Sequence, residues 1–143
     1  MALEPSFERR FWPSSRGRRA QGDVAEALSR LRWTHQVEHV TADGLSLDMA
    51  QPGSKLAVEF DGPWHYLVDV RSGLRSLTGA SLFKRRLLRK LGWKVLHLPY
   101  FEWEELGSTS ARDKYLTRRL AIFDRSRCIE ESMISLSLHH SSV

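Results

Sequence analysis

Hydrophobic positions recur along this chain with two periods, and the switches between them divide it into elements. In GDVAEALSRL, Val24, Leu28 and Leu31 fall on one helical stripe with Ala25 beside it. Asp23 stands as the N-cap of a helix beginning near Gly22, with Glu26 three residues on as in a capping box. In HQVEHVT the period falls to two: Val37 and Val40 alternate imperfectly among polar residues, which predicts an edge-like strand over residues 35–41. Asp43-Gly44 then suits a type I′ hairpin turn, whose central positions both need positive φ. The returning strand LSLDMA places Leu45, Leu47 and Met49 on one face and Ser46, Asp48 and Ala50 on the other. After a QPGS turn, KLAVEFD sets Leu56, Val58 and Phe60 against Ala57, Glu59 and Asp61.

Residues 63–78, PWHYLVDVRSGLRSLT, make a loop of the length that usually serves as a lid or binding loop. GASLFKRRLLRKLG is helical and ends at Gly92. Its buried stripe is predicted as Phe83, Leu87, Leu88 and Leu91, with Arg85, Arg86, Arg89 and Lys90 on the other side. Lys84 sits on the apolar stripe and should point toward the sheet. WKVLHLPY has apolar residues on both faces, as an interior strand would. FEWEEL closes it with a short turn or helix, and SARDKYLTRRLAIF is a last amphipathic helix with Tyr115, Leu116, Leu120 and Phe123 inward. Residues 1–15 lack sustained periodicity and read as an arm, residues 16–123 as the domain, and residues 124–143 as a tail. The fold expected is α/β: a small mixed sheet of about four strands with flanking helices. The strands bearing Glu59 and Val95 run parallel through a right-handed crossover.

At 143 residues the chain is sized for one domain. Its 22 Lys and Arg against 17 Asp and Glu give a net charge of +5, which suits an anionic partner such as nucleic acid or a membrane surface, and also ordinary solubility. One cysteine, Cys128, excludes an intrachain disulfide and favours a reducing compartment, and no Cys/His pair has zinc-finger spacing. No apolar run approaches the roughly 20 residues that span a bilayer, so no membrane insertion is expected. The opening MALEPSFERRFWPSSRGRR is rich in Arg and Ser like an organellar transit peptide, although it carries Glu4 and Glu8.

Two chemistries compete for the polar residues. With normal hairpin register Asp48, Glu59 and Asp61 share one face, a cluster whose repulsion calls for a cation, a basic side chain or solvent. Asp48 and Glu59 are candidate ligands for Mg²⁺ or Mn²⁺, and Lys84 or His65 candidates to orient or deprotonate water for phosphodiester cleavage. Plainer roles exist: Asp61-Gly62 as a strand-ending turn, Lys84 as an ion-pair partner, His65 as a loop hydrogen bonder. The second chemistry is RNA binding, which requires no cofactor. Trp64, His65, Tyr66, Tyr100 and Trp103 would stack on bases, while Arg85, Arg86, Arg89 and Lys90 hold phosphates. Tyr100 and Trp103 also suit core packing. A third class is a protein-interaction module that recruits RNA-processing factors.

Three ordered blocks, EFDGPWHY, LTGASLFKRRLLRKLGWKVLHLPYFEWEEL and YLTRRL, closely resemble the RAP domain over residues 56–120. That module is named for RNA binding and abundance in apicomplexans, and it also occurs in the FAST-kinase family of mitochondrial RNA regulators and in chloroplast octotricopeptide-repeat proteins. The resemblance implies a mitochondrial or plastid protein acting in RNA processing, stability or ribosome assembly. Its partners would be RNA, single-stranded for preference, and organellar ribonucleoprotein or ribosome-associated factors. More loosely, the order helix, three strands, helix, strand resembles the αβββαβ core of PD-(D/E)xK nucleases. That likeness makes Asp48 the first metal-binding acid and Glu59 the second. Asp61 stands where those enzymes carry a lysine, and Lys84, projecting back from its helix, is placed to supply one.

Overall fold

The computed structural model describes residues 14–139 and arranges them as α1 (Ser14–Arg30), β1 (Gln36–Val40), β2 (Ser46–Gln51), β3 (Leu56–Asp61), a 3₁₀ turn (Pro63–His65), β4 (Tyr66–Val68), β5 (Arg75–Leu77), α2 (Gly79–Lys90), β6 (Lys94–Pro99), α3 (Tyr100–Glu104) and α4 (Thr109–His139). The main sheet has strand order β1-β2-β3-β6; β1, β2 and β3 are antiparallel neighbours, and β6 lies parallel to β3 with Glu59 opposite His97. The mixed α/β class and the αβββαβ order are those the periodicity predicts. β6 is an edge strand rather than an interior one. Its apolar faces are covered because a helix layer lies on each side of the sheet.

On one side, Val24, Ala27 and Leu28 of α1 pack with Val58, Phe60, Leu96, Leu98, Trp103 and Leu116. On the other, Leu88 of α2 and Trp93 close over Leu47, Ala50 and Ala57. Every one of these side chains is no more than 7% exposed, and burying an aliphatic of Leu size contributes about 1.5–3 kcal/mol. Gly92 ends α2 at φ +88°, where a side chain would be strained, and Trp93 N–H donates to Leu88 O at 3.0 Å.

Several elements differ from the periodicity. α1 starts at Ser14, so Asp23 and Glu26 lie inside the helix and cap nothing; Asp23 instead pairs with Arg112 of α4. The arm predicted over residues 1–15 lies outside the described residues up to position 13. The β1–β2 hairpin turns where expected but not as type I′: only Gly44 has positive φ, and Thr41 closes the loop with its own N–H to Leu45 O and its hydroxyl accepting Leu45 N–H. Within the long loop, β4 and β5 pair as a second hairpin, with Tyr66 opposite Leu77. α4 does not stop at Phe123 but runs on to His139.

One irregularity positions a functional side chain. Gln36 and Val37 face Ala50 and Met49, and His39 and Val40 face Leu47 and Ser46, but Glu38 between them takes φ +50°. Opposite that kink the strict alternation of β2 breaks, so Met49 packs under α1 and Leu47 packs under α2. Asp48, at the break, gives its carboxylate to Phe60 N–H at 2.8 Å.

Candidate functional site

Strand alternation places Ala57, Glu59 and Asp61 on the α2 side of β3, and both acids are nearly sealed, at 4% and 2% exposure. Carboxylates so placed need partners. Lys84, on the sheet-facing side of α2, donates to Glu59 Oε1 at 2.8 Å. The next residue, Arg85, pairs with Asp61 Oδ2, and His97 Nδ1 stands 3.1 Å from the same oxygen. The three acids therefore divide. Asp48 and Glu59 face an open cleft of about 430 Å³ lined also by Lys84, Gln21, Ser46, Trp64 and His65. Asp61, close enough for its charge to raise both Asp48 and Glu59 as the predicted cluster requires, spends its carboxylate on Arg85 and His97 and does not line the cleft.

The charges follow that division. Burial, reinforced by the neighbouring Asp48 charge, pushes the Glu59 carboxyl up to about 7 against the pull of Lys84. Burial also raises Asp48, opposed by the Phe60 N–H it accepts. Burial alone would raise Asp61 too, but the hydrogen bond from His97 and the charges of His97, His65 and Arg85 hold it below the usual carboxylate value. His65 is lowered by burial. Its Nδ1 lies 2.9 Å from Ser81 Oγ, and Thr78, whose side chain caps α2 by accepting Ser81 N–H, binds the same hydroxyl. The imidazole is thus fixed to the start of α2 at the wall of the cleft.

Two carboxylates and an amine around one opening suit a hard cation held jointly with phosphate oxygens and water. Among the described residues no group of three or more His, Cys, Asp or Glu is disposed to hold an ion by itself. The donors for an ion here are Asp48 and Glu59. Trp64, 60% exposed, lines the cleft without closing it.

The other predicted residues separate by exposure. Arg86, Arg89 and Lys90 stand on the outer side of α2 and pair with no acid among the described residues. Arg85 is not with them. The sheet-facing row of α2 is Ser81, Lys84, Arg85 and Leu88, and Phe83, predicted inward, is 68% exposed. Tyr66, Tyr100 and Trp103, predicted as base platforms, are buried at 7%, 3% and 1%. Tyr66 lies edge-on to Phe101 and tilted against Tyr100, while Trp103 meets the edge of Tyr115 beneath Arg112. They fill the seam where the β4–β5 hairpin, α3 and α4 meet and have no face to offer a base. Sequence reasoning missed Ser81, Gln21 and His97. For His97 a signal exists: it lies two residues after Val95, so the parallel pairing of β3 with β6 brings it beside Glu59 and Asp61.

Residues 58–119 match the family model of the RAP domain. A chloroplastic RAP domain-containing protein of Oryza sativa subsp. japonica is 37% identical over 84 residues, 59% of this chain. The mitochondrial FAST kinase domain-containing protein 5 of Macaca fascicularis is 42% identical over 66 residues, and the mitochondrial FAST kinase domain-containing protein 1 of Mus musculus is 41% identical over 59, covering 46% and 38% of this chain. The aligned segments span 12%, 8% and 7% of those relatives' own lengths. Among solved structures, the catalytic domain of a homing endonuclease superposes with a TM-score of 0.46 at 22% identity, over 72% of this chain and 94% of that one.

Proposed function

From the RAP-domain segment at residues 58–119, we propose that this chain binds single-stranded RNA and serves RNA processing, stability or ribosome assembly in a mitochondrion or chloroplast. The organelle rests on the chloroplastic and mitochondrial relatives. One observation carries the binding: the helix whose Lys84 lines the cleft presents Arg86, Arg89 and Lys90 outward, exposed and without acidic partners among the described residues. Phosphate contacts of that kind give affinity that falls steeply with salt. Trp64 lines the rim of the cleft and is 60% exposed, and stacking of a base on such a ring is worth about 1–3 kcal/mol. The test is the affinity of the intact chain for an unstructured RNA oligomer across a salt series. Reversing Arg86, Arg89 and Lys90 to Glu is expected to weaken binding and flatten the salt dependence. Unchanged affinity and slope, with the fold intact, would sink the reading.

A second reading, metal-dependent endonucleolytic cleavage, is favoured by the meeting of Asp48, Glu59 and Lys84 at one cleft. A bound Mg²⁺ or Mn²⁺ would activate water and offset charge on the scissile phosphate. Asp48 and Glu59 would hold the ion, Lys84 would steady Glu59 and the developing negative charge, and His65, tied to Ser81, would orient water. Cleavage of single-stranded RNA that needs the ion and vanishes in Asp48→Asn and Glu59→Gln, while RNA affinity persists, is the expected result. Cleavage surviving both substitutions comes from a contaminant and removes this reading; no cleavage at all removes it and leaves binding.

A further inference from the structure

A second concave surface lies around the corner from the acid cleft, along the free edge of β6. Two cavities of about 530 and 330 Å³ run together there, sharing Arg85, Val95, His97 and Ile122 in their walls. Three elements supply cations to them: Arg85 and Arg89 from α2, Lys94 from β6, and Arg118, Arg119 and Arg125 from α4. Among the described residues no Asp or Glu lines either one.

The walls are also anchored. Arg85 is held by Asp61, which is buried and spends its charge on Arg85 and His97. Arg119 donates to His97 O at 2.6 Å, and its buried Nε has no partner among the described residues. Arg118 and Arg125 are exposed and pair with no acid among the described residues. A fixed cationic trough with unspent donors is built for an anion. Because the cations line a concavity, a narrow polyanion reaches them better than a flat lipid surface does.

We propose that this trough is a phosphate-binding track for a single RNA strand, and that it leads the strand to the acid cleft. The two sites are neighbours by construction. Lys84 lines the cleft and Arg85 the trough, one residue apart on α2. Glu59 belongs to the cleft and Asp61 to the trough's anchoring, two residues apart on β3 and so about 7 Å. This inference rests on the RNA reading above and adds a surface on α4 to it.

The test uses the intact chain, a fluorescent unstructured RNA oligomer and the variant Arg118→Glu/Arg125→Glu. Binding is expected to weaken at least tenfold at low salt, with the log–log salt slope smaller by about 1.4, two phosphate contacts' worth on a single strand. Both side chains are exposed and have no acidic partner among the described residues, so the thermal unfolding midpoint should match the parent's. If the double reversal does not fold, Arg118→Gln/Arg125→Gln replaces it, with the same slope change expected. Unchanged affinity and slope in a folded variant that coexist with a loss in an Arg86→Glu/Lys90→Glu variant, whose side chains lie outside the trough, overturn the track and leave the RNA reading standing. Failure of the parent chain to bind RNA removes both. Tighter binding to phosphatidylglycerol vesicles than to RNA, abolished by the double reversal, overturns the track in favour of a membrane surface.

Discussion

Glu59 and Asp61 are two residues apart on the same face of one strand and both nearly sealed, yet shifted in opposite directions, because Glu59 meets Lys84 with the Asp48 charge beside it, whereas Asp61 meets Arg85 and His97. Burial and the repelling Asp48 leave Glu59 raised despite Lys84; the pairing of Asp61 with His97 and Arg85 leaves it lowered. The sign for stability follows. With its folded value raised from 4.5 to about 7, Glu59 binds its proton more tightly in the folded state, so its contribution is complete below pH 4.5 and is lost as pH rises through 7. Glu59→Gln is therefore expected to be more stable than the parent at pH 8 relative to their difference at pH 4.5, read from urea midpoints at the two values. An equal difference at both would refute the raised carboxyl. The convergence of Asp48, Glu59 and Lys84 was readable from strand alternation plus one helical position. The withdrawal of Asp61 was not, because it depends on a histidine 36 residues away that reaches it only once β6 is paired.

Among the elements, those with a clean period were legible and those held by tertiary contact were not. The periodicity places α2 correctly but sets its inward face about one residue off. Phe83 looked like core because it is apolar, whereas the sheet beneath offers carboxylates that draw Lys84 and Arg85 inward instead. The first turns of α1 are rich in Arg and Gly and bury little besides Ala20, so their helicity draws on packing and on ion pairs such as Arg16 with Glu104. The far half of α4 carries Ile129, Met133 and Leu136 at helical spacing, yet all three are exposed, so that half is not held by burial of this stripe. The start of α2 joins fold to site through Thr78, which caps the helix and shares Ser81 with His65. Thr78→Ala should cost about 1 kcal/mol in urea unfolding, within the usual range for a lost cap. Thr78→Ser, which keeps the acceptor, should restore most of it; an equal loss in both variants would rule out the cap.

At the scale of the whole molecule, charge and stability are carried by different parts. The core lies in two apolar layers either side of the sheet, while the ion pairs joining α1 to α4, Arg30 with Asp113 and Asp23 with Arg112, are partly exposed and contribute little each. Raising NaCl from 0.1 to 1 M should shift the urea midpoint only slightly while abolishing RNA affinity. A large parallel loss of stability would mean that the fold itself rests on those ions. No helix among the described residues is long and apolar enough to cross a membrane.

The kink at Glu38 has a further effect. β1 leaves one side of the sheet open, with Val37 and Val40 both more than half exposed, and a flat strand of that kind invites a stranger's backbone to zip onto it. A left-handed residue in its middle breaks the row of outward amides into pieces too short for such recruitment. The same distortion that frees Asp48 for the cleft thus guards the chain against self-association at that margin.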